Sequence, residues 1–147
     1  MEKLSDKTNA LTWFEIPVVD MKRARTFYEM ILDIKLETMS MPKSDEETVF
    51  FPRQPDTIMA QSGVLSGALV KSNRLKPSAD GPLIYLNAYP SIDKVIDKIE
   101  LAGGKILAPK MKIPELSGSG EFSLGNGRIC SRTHIDCSSK GSFGAIS

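Results

Sequence analysis

Glu15 stands two residues after Trp13, the only tryptophan of the chain, within a run of alternating apolar residues. Residues two apart on an extended strand share a face, so the indole and the carboxylate are expected to look the same way. A carboxylate beside an aromatic wall in a partly apolar pocket is desolvated. That makes it a better proton acceptor, as a general base or acid needs. The plainer alternative is that a hydrogen bond from Tyr85 or Asn87 holds Glu15, which then only shapes the pocket. Trp13 offers a flat stacking wall and one N–H donor, or else fills core space as any aromatic does. Tyr85 and Asn87 repeat the two-residue spacing on another strand-like run. They would orient a ligand there, or make ordinary buried hydrogen bonds. His134, the only histidine, alternates with Arg132 and Asp136 and suits a proton shuttle or an anion clamp; an exposed edge cluster is the other reading. Glu15 is therefore the candidate catalytic residue, and Trp13, Tyr85, Asn87 and His134 are the candidate ligand-binding residues.

The elements that must position these groups follow from periodicity. Leu11 to Val18 alternates, with Phe14, Ile16 and Val18 on one face and Trp13, Glu15 and Pro17 on the other. Asp20 can cap a helix in which Met21, Ala24, Tyr28 and Ile31 recur at helical spacing and Phe27 and Leu32 widen the stripe. That helix is expected on the Phe14, Ile16 and Val18 face. Strands are expected at Ile34–Met39, Thr48–Phe51, Thr57–Ala60 and Gly63–Lys71, with Met41–Glu47 a solvated loop. Ser72–Gly81, poor in apolar residues and containing Pro77, Asp80 and Gly81, reads as a linker near the midpoint.

The pattern then begins again. Leu83–Ala88 reads as a strand and Ser91 as an N-cap, and Ile92, Val95, Ile96 and Ile99 form a stripe ended by Gly103 and Gly104. Laying Tyr85 on Glu15 also sets Ser66-Gly67-Ala68-Leu69 against Phe143-Gly144-Ala145-Ile146. Further strands are expected at Lys105–Ala108, Ile129–Asp136 and Ser142–Ile146. The glycines of Leu116–Gly127 do not complete a dinucleotide fingerprint and no strong strand precedes them. The expected architecture is an α+β fold of two pseudo-symmetric βαβββ modules, residues 10–71 and 82–147, forming a partly closed sheet around one cavity.

At 147 residues the chain has the size of one domain, or of two small modules sharing a core. Its net charge of +1 comes from interspersed acids and bases, so nothing favours nucleic acid or an anionic membrane as partner. No stretch approaches membrane-spanning length and Met1–Asn9 lacks an apolar core, which leads to the expectation of a cytoplasmic protein. The two cysteines, Cys130 and Cys137, fit reduced thiols better than a disulfide framework.

The strand, Asp and helix phrase ending in Phe27-Tyr28 resembles the opening of modules in the vicinal-oxygen-chelate superfamily. That group includes glyoxalase I, bleomycin-resistance proteins and extradiol dioxygenases. Trp13–Val18, Phe27–Tyr28, Gly67–Lys71, Tyr85–Asn87 and Ala102–Lys105 are similar, in order, to a pattern of glyoxalase-related proteins of poorly defined function. The likeness covers Leu11 to about Pro114, and the last thirty or so residues poorly. It implies paired βαβββ modules, a small-molecule ligand and a homodimer. It also implies, in metal-dependent members, ligands near Trp13, Gly67, Leu83 and Gly144. None of these side chains has a donor for a divalent metal, so no metal and no cofactor are expected. The leading expectation is a small-molecule-binding protein of the glyoxalase and bleomycin-resistance type. The alternatives are a metal-free lyase or isomerase with Glu15 as base, and a metal-dependent lyase or dioxygenase.

Overall fold

The computed structural model describes residues 3–5, 7–39, 45–54, 65–78, 82–88, 90–106 and 128–132. Their order is β1 (Trp13–Pro17), α1 (Met21–Leu32), β2 (Glu37–Met39), β3 (Glu47–Phe50), β4 (Ser66–Lys71), β5 (Leu83–Asn87), α2 (Ile92–Ile99) and β6 (Arg128–Arg132). The class is α+β. The chain divides into two units: residues up to Arg25 with Ile34–Pro77, and Thr26–Asp33 with the residues from Ser78 onward.

In the first unit four strands form a mixed open sheet of order β1-β4-β3-β2. β1 runs parallel to β4, and β3 is antiparallel to both its neighbours. Pro17 has no N–H to give a ladder, which suits its place on an edge strand. The pairing resumes where the Val18 N–H donates to Val70 O at 2.9 Å.

Register sorts the side chains onto two faces. Ile16, Leu69, Val49 and Thr38 stand in one cross-strand row, and Glu15, Ala68, Phe50 and Glu37 in the next. The first row is the core, with Ile16 and Leu69 fully buried and Val49 nearly so. Arg25, at the end of the part of α1 that belongs to this unit, donates from Nη1 to Thr38 Oγ1 at 2.8 Å and from Nη2 to Leu36 O at 2.7 Å. The start of α1 therefore lies over the Ile16 face, as the alternation requires. The same bond shows why β2 is shorter than the expected Ile34–Met39 strand. Leu36 is buried and its carbonyl is taken by a guanidinium instead of a neighbouring strand.

Caps set the helix ends. Asp20 Oδ1 accepts from the Arg23 N–H at 3.0 Å, and Asp20 O from the Ala24 N–H at 3.0 Å, which makes Asp20 the N-cap of α1. The helix stops at Asp33, whose φ of 54° lies in the left-handed region that aspartate tolerates better than most residues. Ser72 closes a turn after β4, its Oγ accepting from the Arg74 and Leu75 N–H groups at 3.2 and 3.0 Å. The expected linker thus begins as a built turn.

In the second unit β5 pairs antiparallel with β6. Leu86 and Ala88 are buried, as are Ile92, Val95 and Ile99 on the inner side of α2. Ser91 has the extended backbone of an N-cap but makes no side-chain capping bond. The end of α2 tightens through Gly103 N–H to Glu100 O at 3.0 Å and Gly104 N–H to Ile99 O at 2.8 Å, with Gly103 at φ 86°. This paired closure needs a left-handed residue, which explains that glycine. A Cβ on Gly104 would come within 2.6 Å of Phe27 Cε2 and 2.8 Å of Ile99 Cγ2.

Two expectations change. The partly closed sheet is, among the described residues, two open sheets. Lys105 and Ile106 are not in a strand. The strand expected at Thr57–Ala60, residues 107–108, the loop at 116–127, the end of the Ile129–Asp136 strand and Ser142–Ile146 lie outside the described residues. Among the described residues no helix is long and apolar enough to cross a membrane.

Candidate functional site

The face of the first sheet opposite the Ile16 row carries the chemistry. Ala68, Val70 and Phe50 form a small buried cluster against which Trp13 packs half-buried. The Trp13 and Phe50 rings lie 5.6 Å apart at 55°, an inclined pairing that aromatic quadrupoles favour. Trp13 Nε1 points to Glu15 Oε1 at 3.4 Å, the long end of hydrogen bonding. The expected Trp13 and Glu15 juxtaposition is therefore present, but the expected desolvation is not. Glu15 is exposed, because it sits on an edge strand and on the face away from Arg25 and the start of α1.

Further cations meet this face. After β3 the chain turns at Pro52, whose carbonyl accepts from the buried Ser66 hydroxyl at 3.0 Å, with Phe51 O more distant at 3.4 Å. That bond fixes the turn and delivers Arg53 over the Phe50 ring, its guanidinium carbon 5.3 Å from the centroid. Arg53 Nε is buried and has no hydrogen-bond partner. An orphaned buried donor costs about 1–3 kcal/mol, so this atom is a stored liability or an unfilled contact. Arg74 is held by Glu46, with Nη2 at 2.6 Å and Nε at 3.2 Å from Oε1. Glu46's hydrogen bond and charge raise the Arg74 pKa above its ordinary value, and the charge of Glu15 adds to them.

Tyr85 and Asn87 alternate on β5 in the second unit, and both are exposed, Tyr85 at 51 %. They share a strand face as expected, without the burial a hydrogen-bonded core pair would have. His134 lies outside the described residues, as does Asp136. Phe50, Arg53 and Arg74 were not anticipated. Their signal was an arginine directly after Phe50-Phe51-Pro52, where a turn can fold a cation back over the strand it leaves.

Compared with family models, with curated proteins and with solved structures, the chain matches none.

Of the four metal positions implied by the resemblance, Trp13 and Gly67 stand on the first sheet without a metal donor, and Gly144 lies outside the described residues. Gly67 pairs with Phe14, and a Cβ built on it would run into the Phe14 ring, so Gly67 belongs to the opposite face from Trp13. The β4 residue that shares a register position with Trp13 is Ser66, whose hydroxyl is used by Pro52 O. Among the described residues no three His, Cys, Asp or Glu side chains gather as a metal ion would need.

Proposed function

We propose that this chain is a small-molecule-binding protein of the glyoxalase and bleomycin-resistance type, built as two pseudo-symmetric βαβββ modules and working as a homodimer in the cytoplasm. One observation carries the reading: the Trp13 and Phe50 rings form a partly open aromatic wall on a sheet face that the start of α1 does not cover. Further support comes from the five motif pieces in order and from the β, α, β, β, β order of the elements from Trp13 to Lys71. A flat or apolar ligand laid on that wall would gain stacking and apolar burial, while Glu15 beside Trp13 supplies an acceptor that orients it.

The exposure of Glu15 favours binding over acid and base catalysis. Its carboxylate stands open to water on an edge strand, without the water-excluded surroundings in which a positioned base works. Because Trp13 is the only tryptophan, emission excited selectively from tryptophan reports on this wall. A panel of planar small molecules is expected to contain members that change Trp13 emission saturably. A panel leaving the emission unaltered throughout, while ligands bind by calorimetry, would place the site elsewhere and reject the reading.

A further inference from the structure

We infer that the ligand of the Trp13 and Phe50 wall is a planar carboxylate, whose carboxyl group is taken by Arg53. The inference rests on the binding role proposed above and adds the ligand's class.

Arg53 follows Pro52 in the turn that Ser66 pins, and its guanidinium is stacked on Phe50 at 5.3 Å. Two acids share the face and the cross-strand row of Phe50: Glu37 on the adjacent strand, and Glu15 two strands away, about 10 Å at ordinary strand spacing. Among the described residues no ion pair joins Arg53 to either. Its Nε–H is buried and unmatched. A guanidinium paired with a ring instead of with the nearby acids keeps its two terminal Nη groups for an anion, and their N–H pair matches the two oxygens of a carboxylate.

The rest of the face selects shape and direction. The wall that Trp13 and Phe50 present favours a flat body attached to the carboxylate. Glu15, an exposed acceptor beside Trp13, repels a second anion at its end of the row and would welcome a hydroxyl or amino donor there. Arg74, already committed to Glu46, is not needed for the anion. The geometry therefore orients a planar acid with its carboxyl toward Arg53 and its uncharged end toward Glu15.

The test uses 2-naphthoate, its uncharged isostere 2-naphthamide, and inorganic phosphate. It is read from the single Trp13 indole N–H resonance and from calorimetry on the full chain. Naphthoate is expected to bind about tenfold more tightly than naphthamide, the size of one charge-assisted pair, and phosphate far more weakly than naphthoate. Arg53→Met should bring naphthoate down to the naphthamide level and leave naphthamide unchanged. If that variant does not fold, Arg53→Lys keeps the charge and loses the fork, and naphthoate should weaken severalfold while naphthamide holds. Equal binding of the two naphthalenes, or a preference that survives both substitutions, overturns the carboxylate assignment while leaving a binding wall in place. Phosphate matching naphthoate overturns the planar requirement. Neither naphthalene moving the indole resonance overturns the inference, and the wall itself falls only if the wider panel is silent as well.

Discussion

At the scale of single residues, Glu15 decides between a binding protein and an enzyme. Its carboxylate is exposed and meets the Trp13 indole only at 3.4 Å, so Glu15→Gln removes charge and basicity but little structure. Ligand affinity at the Trp13 wall is expected to change by about 1 kcal/mol or less, the worth of one hydrogen bond, as measured by titrating the tryptophan emission. A substrate whose turnover falls about a hundredfold in this variant while its binding persists would instead make Glu15 a base. Half of this site was legible beforehand. The Trp13 and Glu15 pairing needs only the two-residue period of a strand, which local sequence displays. Phe50 and Arg53 belong beside them because of strand register and of a turn held by Ser66, and neither is written in the neighbourhood of Trp13.

At the scale of elements, the strands and helices follow from patterns that close over a few residues. Asp20 shows its capping role in its own carboxylate, and the stripes of α1 and α2 are buried where their spacing says, except at Leu32 and Ile96, which are half-buried. Boundaries depended on distant partners and were less legible: β2 is short because Arg25 takes the Leu36 carbonyl. Gly67 gives the sharpest prediction at this scale. A glycine inside a strand ordinarily costs stability relative to alanine, so Gly67→Ala would be stabilising if space allowed. A Cβ here would run into the Phe14 backbone oxygen and lie within 2.6 Å of its ring, across the β1–β4 pairing. Gly67→Ala is therefore expected to destabilise the fold by about 1–3 kcal/mol, read from the urea midpoint at constant slope. An unchanged or higher midpoint would mean that Phe14 moves aside freely.

At the scale of the whole molecule, the four-stranded sheet has β1 and β2 at its edges among the described residues. Exposed edges invite pairing or need cover, and a second copy of the chain would supply cover. Sedimentation equilibrium at micromolar concentration is expected to give twice the chain mass, and a monomer mass would reject the homodimer. The internal repeat was the most visible large-scale feature in the sequence, and the stretch that echoes β4, Phe143–Ile146, lies outside the described residues. Repetition of apolar spacing specifies the kind of element and leaves the direction of its neighbours open. The division of α1 bears on how the chain could be taken apart. Arg25 bonds within the sheet unit, whereas Phe27, Tyr28 and Ile31, buried beyond it, belong with the residues from Ser78 onward, where Phe27 lies against Gly104 and Ile99. Dissection at Pro77 would thus part Phe27 from the Gly104 and Ile99 against which it lies. A cut after the sheet unit therefore removes a neighbour that α1 meets only about seventy residues further along the chain.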